Sequence, residues 1–138
     1  MNVRRSAVAV TLSVLLGATM AACAPSSPGQ VCVPELAVTP EDPRPGRIVT
    51  VQTVRACPVA ADEGVRWEIR IQPEDATIPL ARAFVEPEAD GSFAVRITVP
   101  PTIGPGPAIA HIANYWESAT CPDGASCAAA SVTFDVRE

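Results

Sequence analysis

A chain of 138 residues leaves room for one domain, and with ten arginines, no lysine and fifteen carboxylates it lacks the clustered basic surface that nucleic acid requires. Arg4 and Arg5 sit at the extreme N-terminus, so the rest carries eight arginines against fifteen acids, a net −7, which also argues against an electrostatic hold on anionic lipid. The missing lysine goes with abundant Ala, Pro, Val and Arg and reads as the coding bias of a GC-rich genome.

Met1 to Arg5 carries two arginines, Ala7 to Leu16 is apolar except for Thr11 and Ser13, and Gly17 to Ala22 is small and weakly polar. This is the three-part plan of a secretory signal peptide, expected over residues 1–22. The apolar run is too short to cross a bilayer, which takes about 20 residues. Arg4-Arg5 also suggests the twin-arginine route, but its flanking residues fit that pattern poorly.

Ala21-Ala22-Cys23 resembles a bacterial lipoprotein lipobox, departing from the pattern at Met20, where leucine is usual. The resemblance implies that Cys23 takes a diacylglycerol through its sulfur, is freed by the lipoprotein signal peptidase and becomes the mature N-terminus. That would moor the protein to the outer face of the cytoplasmic membrane. The alternative is cleavage after Ala22-Cys23-Ala24, an A-x-A pattern that releases a soluble protein. Residues 23–30, the cysteine followed by APSSPGQ, have no apolar period and read as a short extended linker.

From residue 31 to 138 the period is two and turn residues recur every 8 to 14 positions. Strands are expected at about 32–38 and 47–55, the second with Val49, Val51 and Thr53 inward. In the third, about 65–72, Val65, Trp67, Ile69 and Ile71 alternate with an outward charged row of Arg66, Glu68 and Arg70. That row is a solvated face or a contact surface. A fourth strand spans Leu80 to Glu86. Asp90-Gly91 then turns into a fifth, Ser92 to Val99, with Phe93, Val95, Ile97 and Val99 on one face, ended by Pro100-Pro101.

After Pro107 a sixth strand is expected to run to about Trp116. Its inward set is either Ala108, Ala110 and Ile112 or Ile109, His111 and Tyr115. The seventh, about 128–137, buries Val132, Phe134 and Val136. With no helical period beyond the leader, the expected fold is all-β: seven antiparallel strands in two packed sheets.

Several stretches resemble bacterial immunoglobulin-like domains of exported proteins: the Thr39 to Val51 opening, Ala56-Cys57-Pro58, Trp67, the Ala89 to Pro100 run and Pro105-Gly106. The resemblance implies a β-sandwich and says almost nothing about function. One departure stands out, because no cysteine pair is placed to link the second and sixth strands across the core beside the tryptophan.

With Cys23 lipidated, Cys32, Cys57, Cys121 and Cys127 remain as an even set with three possible pairings. All four fall at one pole of the sandwich. There, Cys32 with Cys57 and Cys121 with Cys127 is the local solution, and Cys57 with Cys121 plus Cys32 with Cys127 is its rival. In the chain-entropy model the local closures are worth about 3.5 and 2.4 kcal/mol. An oxidising compartment argues against zinc on four thiolates.

His111 is the only histidine, and no partners stand at motif spacing to make it a metal ligand or catalytic base. Asp62-Glu63 and Asp123-Gly124 share the cysteine pole, but without a D-x-D-x-D pattern they read as turn residues rather than calcium ligands. Tyr115-Trp116, two amphipathic aromatics beside the cysteine loop, are candidate binding residues together with Asp123, or else caps on the core. No metal, cofactor or catalytic residue is expected. The reading is a monomeric, non-enzymatic envelope module that contacts an unknown envelope or extracellular protein or ligand. An envelope carrier of a small ligand or metal ion is the alternative.

Overall fold

Trp67, Ile69 and Ile71 are fully buried while Glu68, Arg70 and Gln72 point to the other side, so one strand carries a complete core face. The computed structural model describes residues 31–58, 64–121 and 127–138. The leader expected at 1–22, Cys23 and the linker at 23–30 lie outside the described residues, as do Asp62, Glu63 and Asp123.

Among the described residues seven strands and one helical turn follow in order: β1 (Glu35–Thr39), β2 (Ile48–Arg55), β3 (Trp67–Pro73), β4 (Ala81–Val85), β5 (Ala94–Thr98), β6 (Gly106–Ile112), α1 (Tyr115–Ser118) and β7 (Ser131–Val136). They form a three-stranded sheet in the order β1-β2-β5 and a four-stranded sheet in the order β4-β3-β6-β7. Every pairing is antiparallel. The expected all-β arrangement of two antiparallel sheets is therefore present. Val49, Val51 and Ile97 of the first sheet and Trp67, Ile71 and Phe134 of the second belong to one continuous apolar cluster.

Of the boundaries that differ from expectation, two have identifiable reasons. The first strand begins at Glu35 rather than near Cys32, directly after Pro34, which has no N–H to give to a ladder, and the Cys32 carbonyl accepts from the Tyr115 hydroxyl instead. The sixth strand stops at Ile112 instead of reaching Trp116. There the Asn114 side chain substitutes for main chain: its Oδ1 accepts from the Glu68 N–H at 2.8 Å and its Nδ2 donates to the Arg66 carbonyl at 2.9 Å. Beside it the Ala113 N–H donates to the Glu68 carbonyl at 2.8 Å. With β3 satisfied by an amide side chain, the backbone is free to turn into α1. The expectation of no helix is corrected by this single turn.

The turn also resolves the two candidate inward faces of β6. Ala108, Ala110 and Ile112 face the core, and Tyr115 joins them from α1. His111, on the other face of β6, is half-buried between Arg70 and Ser131.

The Asp90-Gly91 turn leads into β5 as the sequence indicates. Asp90 Oδ1 accepts from the Ser92 N–H at 2.9 Å, and Gly91 adopts φ +82°. A Cβ at Gly91 would lie 2.0 Å from the Cys57 carbonyl oxygen, so this turn packs directly on the backbone of a disulfide cysteine.

Candidate functional site

Cys32 with Cys57 and Cys121 with Cys127 form two disulfides, with Cα separations of 5.8 and 6.0 Å. These are the local pairs, and the crossed alternative is excluded. The first ties the entry to β1 to the exit of β2. The second closes the connection from α1 to β7.

Tyr115 and Trp116 join the two bridges. The Tyr115 hydroxyl donates to the Cys32 carbonyl at 2.9 Å. The Trp116 indole N–H donates to the carbonyl of Ala128, next to Cys127, at 3.1 Å. The two rings meet edge to face, with centroids 4.9 Å apart. Beneath them Trp67 packs edge-on against both Tyr115 and Phe93, at 5.7 and 5.5 Å. Its indole N–H donates to the Ser118 hydroxyl at 2.8 Å, which in turn donates to the Tyr115 carbonyl at 3.0 Å. Trp67 thus packs on rings, where antibody domains place a disulfide.

The candidate binding residues consequently separate. Tyr115 is only 2% exposed and its ring serves the core. Burial pushes its hydroxyl above the ordinary tyrosine range, so it stays a neutral donor at physiological pH. Trp116 is half-buried and packs against the core. Asp123 lies outside the described residues. Asn114 and Ser118, which hold α1 in place, carry no sequence signal beyond the preference of Asn and Ser for turns.

The outward row of β3 is not simply solvated. The Glu68 carboxylate is sheltered on the sheet, with Arg70 Nη2 at 2.8 Å and Arg82 Nε at 3.5 Å. The Arg70 hydrogen bond holds its pKa below the ordinary glutamate range, against the effect of burial, and the charge of Arg82 adds to it. Arg66 leaves this row to lie over the Phe84 ring at 5.4 Å. Burial, together with the charge of Arg70, keeps His111 below the usual histidine value, against the pull of Glu68. The imidazole is therefore neutral near pH 7.

Among the described residues no three His, Cys, Asp or Glu side chains converge on a metal-sized site, and no helix is long and apolar enough to cross a membrane. Open grooves among the described residues include two larger ones. One, of about 510 Å³, lies between Pro73-Glu74-Asp75 and Gly104 to Pro107. The other, of about 390 Å³, follows the β1 and β7 edges beneath Glu35, Glu41, Asp42 and Asp135. Neither is lined by histidine, cysteine or serine. Comparisons with models of protein families, with curated proteins and with solved structures find no match.

Proposed function

We propose that this chain is a lipid-anchored, non-enzymatic binding module of the cell envelope, an immunoglobulin-like sandwich tethered through Cys23 to the outer face of the cytoplasmic membrane. The observation that carries this reading is the construction of the cysteine pole. Val31 and Cys32, where the linker meets the domain, stand beside a disulfide to Cys57 and a hydrogen bond from Tyr115.

A pull on the linker is thereby passed into β2 and the aromatic cluster instead of peeling β1 off its sheet edge. Such a joint suits a domain hung on a short tether, and paired disulfides in a small domain suit an oxidising compartment. Three strands facing four support the immunoglobulin-like assignment. The antibody constant type differs, since it places the fourth strand with the first, second and fifth. In this reading Tyr115 is structural, and the aromatic side chain left for contact at the pole is the half-buried Trp116.

The test is intact-mass measurement and fractionation of the full chain expressed in a bacterium that processes lipoproteins. Wild type should pellet with membranes and carry a diacylglyceryl mass on its N-terminal cysteine. Cys23→Ser should move to the soluble fraction. A bare Cys23 in membrane-extracted protein would overturn the anchor.

A further inference from the structure

β4 is an edge strand: β3 pairs with it on one side, and on the other it makes no backbone hydrogen bond to β5, the nearest strand of the opposite sheet. The residues on its outer face are exposed. Phe84 is 56% and Leu80 43% exposed, and Arg82 and Glu86 are open to solvent as well. An unpaired edge that displays an exposed phenylalanine between opposite charges is a template for another strand.

We propose that the strand it accepts is β4 of a second copy of this chain, antiparallel and centred on Phe84, which joins the two four-stranded sheets into one. The register follows from symmetry. A two-fold axis opposes residue i to j and j to i, and directly opposed residues must share a face. Centring on Arg82 would set two arginines against each other. Centring on Ala83 would oppose Arg82 to Phe84 and leave Glu86 without a cation opposite it. Centring on Phe84 stacks the two phenylalanines and opposes Arg82 to Glu86 twice over, so the strand is complementary to itself in charge as well as in apolar surface.

The flanks suit this arrangement. Glu86 precedes Pro87 and so favours extended backbone, and Pro87, with no N–H to donate, ends the ladder. Arg66 remains over the Phe84 ring from the β3 side. Because the contact is isologous it closes at two copies and leaves no growing edge at β4. It departs from the monomer expected from the sequence, and it does not depend on the lipid.

Sedimentation equilibrium of the full chain carrying Cys23→Ser tests it without detergent. A reversible monomer–dimer equilibrium is expected below about 1 mM. Glu86→Arg and Arg82→Glu should each weaken it at least about tenfold, and the double variant should recover most of the loss. Since Arg82→Glu also sets a carboxylate near Glu68, a thermal melt of each variant accompanies the measurement, and Glu86→Arg serves as the structurally silent arm. A monomer throughout the range, or a dimer indifferent to Glu86→Arg, overturns the proposal. So does a double variant that stays folded but no better associated than the singles.

Discussion

The Tyr115 hydroxyl and the Cys32 carbonyl, 83 residues apart in sequence, meet at 2.9 Å, and through that bond α1 is fastened to the entry of the domain. Because Trp116 holds the Ala128 carbonyl from the same turn, the two disulfides behave as one braced unit rather than as separate staples.

Tyr115→Phe keeps the ring and removes the donor, losing a part-buried hydrogen bond at a cost of about 1–1.5 kcal/mol. In a domain of this size that lowers Tm by roughly 5–10 °C in a thermal melt. The pH dependence carries the same signature. Burial raises the tyrosine pKa in the folded state, so its contribution is complete below the unfolded value near 10 and is lost as pH rises beyond it. Wild type should lose stability above about pH 10 more steeply than Tyr115→Phe, as read from urea midpoints.

Gly91→Ala should be among the most damaging single substitutions. It combines a positive φ with a Cβ 2.0 Å from a backbone oxygen that the disulfide prevents from retreating. A loss of about 2–4 kcal/mol is expected in chemical denaturation. Gly104→Ala, where a Cβ meets nothing within 4 Å, should stay within about 0.5 kcal/mol of wild type.

Removing the two disulfides should not cost the same. The Cys32 with Cys57 bridge closes the longer loop, with a sequence separation of 25 against 6, and Cys57 is buried. Replacing that pair with alanine should destabilise by about 1 kcal/mol more than replacing Cys121 and Cys127. Denaturant midpoints of the two double variants give the comparison.

Glu68→Gln probes the sheltered ion network. The folded-state pKa of Glu68 is depressed by Arg70 first and Arg82 after it. Its contribution is therefore present above the unfolded carboxylate value near 4.3 and disappears as pH falls through the lower folded value. At neutral pH the variant should lose about 1 kcal/mol or less. Its acid unfolding limb should be shallower than wild type when denaturant midpoints are followed from pH 7 downward.

The strands were legible because each carries its own record. Val49 and Val51, Trp67 with Ile69 and Ile71, and Phe134 with Val136 alternate with polar neighbours, and alternation is a property of a strand by itself. The strands' directions brought all four cysteines to one pole, but the choice between local and crossed pairs was left to the structure. Tyr115 was not legible. By parity with Ile112 it belongs on the outward side, and it faces inward because Asn114 hands its side chain to β3 and lets the backbone coil for one turn. Glu68 escaped for a similar reason, since its shelter comes from Arg82 and Phe84 on the neighbouring strand. Sequence alone determined which residues turn their backs on water along strands such as β2, β3 and β5, while β6 stayed open between two faces. Which strand lies alongside which, and so which polar groups find partners and which rings are covered, was decided only by tertiary structure, because those contacts join residues that no local period relates.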